Sequence, residues 1–129
     1  MNSFENAKEN IELIKSALRV LLVPATPGEY DLHALISSAL DRANLSYVHE
    51  AKIAENCRAD FCVEKICIEV KKSKPAKSAL LKQITRYLSS ENIDGMLVVT
   101  QKSVNLPAII MSKPVSVLSL DKLWGVSLP

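Results

Sequence analysis

Long apolar runs are missing from this chain. No stretch approaches the roughly 20 residues that a membrane-spanning helix needs, so no membrane partner is expected. The opening residues, MNSFENAKEN, are polar and mixed in charge, without the basic-then-apolar layout of a secretory signal, and a soluble cytoplasmic protein is expected. Cysteine is scarce and odd in number. Cys57, Cys62 and Cys67 are spaced five apart, which suits neither an even-numbered disulfide framework nor a zinc-ligand spacing. They read as reduced residues packed in strands. Internal repeats, linkers and low-complexity segments are also absent, and 129 residues suit a single domain, residues 1–129. A hydrophobic fraction of 48% is ample for one core and excludes disorder as the default.

Charge is almost balanced at +2, which by itself says nothing of partners. Its distribution says more. From Lys65 to Arg86 there are seven basic residues and one acid, a local charge of +6 that leaves the rest of the chain at −4. A solvated helix flank explains such a run, and so does a polyanion meeting one face.

Hydrophobic periodicity predicts an amphipathic helix from Ser3 to Leu21, carried by Phe4, Ile11, Ile14, Leu18 and Leu21. Two prolines and a glycine in Val23–Gly28 break it. A second helix is expected from Glu29 to Asn44, with Leu32, Leu35, Ile36, Ala39, Leu40 and Ala43 on one stripe. Strands are then expected over Ser46–Ile53, Asp60–Glu64 and Ile66–Lys72, with a turn at Ala54–Arg58 and a tight break at Glu64–Lys65. After a polar loop around Ser73–Pro75, a third helix is predicted from Lys77 to Ser90, buried through Leu80, Leu81, Ile84 and Leu88. Met96–Thr100 is wholly apolar until its last residue, as a strand covered on both faces would be. Val115–Leu120 reads as one more strand, followed by a short turn of helix to Trp124. This order predicts an α/β domain with a mixed β-sheet flanked by helices.

Chemistry concentrates in Arg58–Lys71. Side chains alternate along a strand, so Glu69 and Lys71 share a face, about 7 Å apart, while Val70 points to the other. An acid and a lysine on the most apolar strand are costly to place without partners. Asp60 opens the preceding strand and lies level with them if the two strands pair as a hairpin. Two carboxylates and a main-chain carbonyl make the hard, all-oxygen pocket that Mg²⁺ prefers, with water and a substrate phosphate completing it. Singly, Asp60 is an ordinary turn residue, and Glu69 with Lys71 an ordinary exposed strand pair.

Asp60 followed by Glu69-Val70-Lys71 after a short hairpin resembles the core motif of the PD-(D/E)XK nuclease superfamily. The resemblance covers about Glu29 to Thr100 in the order helix, three-strand meander, helix, strand, and is nearest to small phage and bacterial nucleases of RecB or Holliday-junction-resolvase type. It departs from the pattern at Ala59, which stands where the superfamily's eponymous proline would be. Gln83-Ile84-Thr85-Arg86-Tyr87 is similar to the glutamine-x-x-x-tyrosine signature on the helix after the lysine strand; residues four apart share a helix face. The resemblance implies a restriction-endonuclease-like core over residues 29–100, an extra N-terminal helix over 1–22 and a completing segment over 101–129.

The implied chemistry is metal-dependent hydrolysis of DNA phosphodiesters, structure-selective or nonspecific, with Mg²⁺ or Mn²⁺ as cofactor. By the resemblance Asp60, Glu69 and the Val70 carbonyl hold the metal. Lys71 activates water, Gln83 orients the lysine or the water, and Tyr87 and Arg86 contact DNA. Glu29, at the start of the first core helix, would aid a second metal or Lys71. A helical wheel puts it about 50° from the centre of the apolar stripe, against about 110° for Asp31; the helix dipole would equally favour it there for structural reasons. Lys72, Lys74, Lys77, Lys82 and Arg86 are expected to grip the DNA backbone. Arg58 would clamp a phosphate or neutralise Asp60, and Glu50 would approach the site or pair with a basic neighbour. His49 reads as structural. Three cysteines do not supply the four ligands of the iron–sulfur cluster found in some relatives. A homodimer addressing both strands is expected; the alternative is a catalytically silent DNA-binding or scaffold subunit of a phage or repair complex.

Overall fold

A computed structural model describes residues 2–19, 32–72 and 75–120. The expected break at Val23–Gly28, Glu29 and the start of its helix, Lys74, and the final turn at Trp124 lie outside the described residues.

The first helix, α1 (Ser3–Arg19), begins with a side-chain cap: Asn2 Oδ1 accepts the Glu5 N–H at 2.8 Å, satisfying a main-chain donor that has no partner within the helix. Its inward face is Ala7, Ile11, Ile14 and Leu18, while Phe4 is only half-buried. The second, α2 (Leu32–Arg42), buries Leu32, Ile36, Ala39 and Leu40. It stops where the periodicity predicted. Asn44 takes the left-handed conformation (φ 59°), its N–H bonds the Asp41 carbonyl, and the Leu45 N–H bonds that of Leu40, each at 3.0 Å.

Three strands then form a meander, β1 (Val48–Ala54), β2 (Cys57–Val63) and β3 (Ile66–Lys71). The expected turn at Ala54–Arg58 shrinks to Glu55–Asn56, because Asn56 adopts φ 55° and lets Cys57 and Ala59 join β2 as buried residues. The Glu64–Lys65 break is a two-residue turn, with Glu64 at φ 53°. Helix α3 (Lys77–Leu88) leads to β4 (Gly95–Thr100), buried along its whole length. A short hairpin follows: β5 (Ile109–Ile110) and β6 (Lys113–Ser119), joined through Met111 and Ser112, both at positive φ (53° and 63°). β5 carries no mark in the sequence, since neither turn residue is the Gly, Asn or Asp typical of such a turn.

The protein is thus α/β, with, among the described residues, a six-stranded mixed sheet in the order β1-β2-β3-β4-β6-β5 and three helices. β3, β4 and β6 run parallel; the remaining neighbours are antiparallel. Helices α1 and α2 cover one face through a core that includes Phe61, Ile66, Ile68, Leu97, Val99 and Leu118. On the other face α3 sets Leu80, Ile84, Tyr87 and Leu88 against Cys67, Met96 and Val98. Gly95 stands where α1, β3 and β6 converge: a Cβ there would lie 3.0 Å from Ile66 Cδ1, 3.1 Å from Ile11 Cδ1 and 3.3 Å from the Pro114 carbonyl. Across the sheet Lys113 gathers the carbonyls that follow α3, its ammonium donating to Leu88, Ser90 and Ile93 at 2.7, 3.0 and 2.5 Å. No helix among the described residues is long and apolar enough to cross a membrane.

Candidate active site

The site forms where the β2–β3 ladder gives way. Main-chain pairing covers Phe61–Val63 against Ile66–Ile68 and goes no further. One step beyond, side chains replace it. Val70 N–H donates to Asp60 Oδ2 at 2.7 Å, and Asp60 N–H donates to Glu69 Oε1 at 3.1 Å, so each acid takes a main-chain proton from the opposite strand. On the other flank of Asp60, Glu50 adopts φ 53° between the pairs His49–Phe61 and Ala51–Ala59. Its carbonyl accepts from Arg58 Nη1 at 3.3 Å. Asp60 therefore sits where β2 loosens from both neighbours.

The orientation of Val70 follows from the ladder. Gln101 N–H donates to the Lys71 carbonyl at 3.1 Å on the β4 side. Successive peptide groups of a strand point to alternate sides, so the N–H and C=O of Val70 turn toward β2 and Asp60.

Glu69 is buried (5% exposed) on the α3 face. Gln83 Nε2 donates to its Oε2 at 2.9 Å, and Lys71 Nζ lies 3.6 Å from the same oxygen. Gln83 in turn meets the Tyr87 hydroxyl at 3.0 Å, and that hydroxyl donates to the Arg58 carbonyl at 2.8 Å. A chain of contacts thus runs from Glu69 through α3 back to the start of β2. Burial, and then the Asp60 charge, push the Glu69 carboxyl above its ordinary pKa; the Asp60 N–H and Lys71 oppose them. Tyr87 is driven upward mainly by burial, with the Glu69 charge adding to it.

Beside Lys71 a groove of about 500 Å³ opens between β3 and α3, with Pro75, Ala79, Lys82, Gln83 and Arg86 among its walls. A larger hollow of about 630 Å³ runs along the outer face of α1; the described residues that wall it are Glu5, Lys8, Glu9, Glu12, Leu13 and Ser16, all from that helix.

The expected site residues thus divide. Asp60, Glu69, Val70, Lys71 and Gln83 come together; Glu29 and Lys74 are outside the described residues. Gln83 holds Glu69 rather than the lysine. Tyr87, expected at the DNA, is 5% exposed and works inside the molecule as a brace, because its hydroxyl is drawn to the Arg58 carbonyl. Lys72, Lys77 and Lys82 are exposed, Lys82 in the wall of the groove, whereas Lys65 lies in the turn at the far end of β3. Arg86 and Arg58 are exposed, yet the first donates to the Asn56 carbonyl and the second to that of Glu50.

One neighbour went unnoticed in the sequence. His33 of α2 lies with Nε2 3.9 Å from Asp60 Oδ1, and its Nδ1 is 2.9 Å from His49 Nε2. His49 stacks on Phe61, ring centroids 4.6 Å apart. The available signal was spacing: His33 follows Glu29 by four residues, the interval that shares a face in the helix expected from the sequence.

No protein family, curated protein or solved structure matches the chain. Among the described residues, no group of three or more His, Cys, Asp and Glu side chains is arranged to hold a metal ion. What the site offers is two carboxylates and an adjacent carbonyl.

Proposed function

We propose that this chain is a metal-dependent deoxyribonuclease with a restriction-endonuclease-like core of the PD-(D/E)XK type. The observation that carries the reading is the paired substitution at the open end of the hairpin: Asp60 and Glu69 cross-linked through Val70 N–H and Asp60 N–H, with Lys71 3.6 Å from Glu69. Two carboxylates brought that close repel, which is one reason the Glu69 carboxyl is pushed upward; a divalent cation would relieve that repulsion, so the donor set fits Mg²⁺ or Mn²⁺. Asp60, Glu69 and the Val70 carbonyl are the groups that would hold the ion. When bound, it lowers the pKa of water and neutralises charge on the phosphoryl oxygens.

The chain's own residues do the rest. Lys71, half-buried at the mouth of the groove, places a positive charge where an attacking water and the developing oxyanion would sit. Gln83 fixes the Glu69 carboxylate, and Tyr87 fixes Gln83. Lys72, Lys77 and Lys82 are exposed surface cations suited to phosphates, which position nucleic acid without reading its bases. DNA binding is therefore expected to weaken steeply with salt and to show little sequence preference.

A second reading has its own support. The carboxylate oxygens already accept Val70 N–H, Asp60 N–H and Gln83, so the acids serve as a substitute ladder without any metal, as a silent DNA-binding or scaffold subunit would require. Incubation with supercoiled, linear and branched DNA in Mg²⁺, Mn²⁺ or EDTA separates the two. The nuclease cleaves only with metal and not as Asp60→Asn or Lys71→Ala. The scaffold binds DNA in all conditions and never cuts it.

A further inference from the structure

We propose that Cys62 and Cys67 form a reversible redox pair, closing to a cross-strand disulfide by exchange with a small disulfide such as glutathione disulfide. The inference rests on hairpin geometry and stands apart from the nuclease reading. Cys62 and Cys67 are direct partners across β2 and β3, one step in from the two-residue turn. Val70 N–H points toward β2, and so by alternation do the peptide groups of Ile68 and Ile66. Phe61–Ile68 and Val63–Ile66 are then the hydrogen-bonded pairs, and Cys62–Cys67 is the non-hydrogen-bonded pair between them. In such a pair the Cα atoms are about 4.5 Å apart and the side chains closest, inside the range a disulfide accepts.

The sulfurs are 3.7 Å apart as free thiols. A disulfide bond is about 2.05 Å long, so closure needs a small side-chain rotation and no change of strand register. Access is one-sided. Cys62 is half-buried and reachable, whereas Cys67 is fully buried behind it. Cys57, opposite Ala54 at the other end of β2, provides an internal control.

The exchange balances in two steps. The Cys62 thiolate attacks one sulfur of the small disulfide, forming a mixed disulfide and expelling one thiolate. Cys67 then attacks Cys62 Sγ, forming the protein disulfide and expelling the second. Two protein thiols are oxidised, the small disulfide is reduced to two thiols, and the protons of Cys62 and Cys67 end on them.

The test equilibrates the reduced protein with graded glutathione and glutathione disulfide, then alkylates and weighs it. Expected is an oxidised chain about 2 Da lighter than the reduced one before alkylation that takes an alkyl group at Cys57 alone after unfolding, with Cys62 and Cys67 joined in the peptide map and full reversal by dithiothreitol. Cys57→Ser should behave identically and Cys62→Ser should never close. Should Cys62→Ser fail to fold, the peptide map of the unaltered protein decides alone. A lasting glutathione adduct on Cys62, a bridge to Cys57 or to another chain, or resistance of the folded protein under conditions that oxidise the unfolded chain would overturn the proposal. None of these readouts involves DNA cleavage, so the pair and the nuclease reading fail independently.

Discussion

The two ends of the β2–β3 hairpin are built from the same pair of strands and could hardly differ more. At the turn, Val63 and Ile66 pair main chain to main chain, their side chains lost in the core under α1 and α2. At the other end, three residues along, Asp60 and Glu69 have taken over from the main chain as acceptors. Apolar side chains tolerate a closed ladder because they ask nothing of it. Buried carboxylates need donors, and here the nearest donors are the N–H groups that an opened ladder releases. A tear in the sheet and a pair of acids are thus one feature, and it faces a groove with Lys71 at its mouth.

The largest expected effect tests the open end. Lys71→Ala should lower metal-dependent cleavage by about 10³-fold, roughly 4 kcal/mol of transition-state stabilisation, while urea unfolding stays nearly unchanged. Undiminished cleavage would remove Lys71 from the chemistry. At the closed end the effect should be on stability instead. Ile66 is fully buried, and Ile66→Ala should cost about 2–5 kcal/mol in urea unfolding; a loss under 1 kcal/mol would mean that this end does not hold the sheet together.

Metal should distinguish the ends more finely. At tenfold excess over its Kd, Mg²⁺ should stabilise the protein by about 1.4 kcal/mol, and Glu69→Gln should abolish that shift. Because burial and Asp60 raise the Glu69 carboxyl, protons should compete with Mg²⁺ at a pH above the ordinary glutamate value of about 4.3. In the metal-free protein the same raised carboxyl makes the charged form a cost. That cost is absent below the ordinary pKa and complete once pH has risen past the folded one, so Glu69→Gln should raise Tm at pH 7 and not in acid. A fall in Tm at pH 7 would show that Glu69 belongs to the fold as an anion. The smallest effect is at Gly95, partner of Ile66 at the closed end. Gly95→Ala should cost about 1 kcal/mol by crowding the Ile66 and Ile11 methyls and the Pro114 carbonyl, with cleavage unaltered. Loss of cleavage there would mean that the two ends are coupled.

Much of this was legible in the chain. The stripe of α2, its stop at Asn44, the Glu64–Lys65 turn and the buried β4 are each written in local periodicity or turn chemistry. Asp60, Glu69 and Lys71 were legible as a group through strand alternation, an assumed hairpin and the motif they resemble. Less visible were features whose partners are remote in sequence. Tyr87 reads as a surface aromatic until Arg58, 29 residues away, claims its hydroxyl. The three carbonyls that Lys113 meets, of Leu88, Ser90 and Ile93, lie 20 to 25 residues before it.

From the sequence alone came the element types, the apolar faces and the chemical identity of the acids and amine, because period and composition act over a few neighbouring residues. Only the folded chain decided that β2 and β3 part at Asp60 and Glu69, that His33 of a distant helix stands 3.9 Å from Asp60, and that two of three cysteines face each other. Those outcomes depend on strand register, and register is a compromise among all the elements packed on both faces of the sheet.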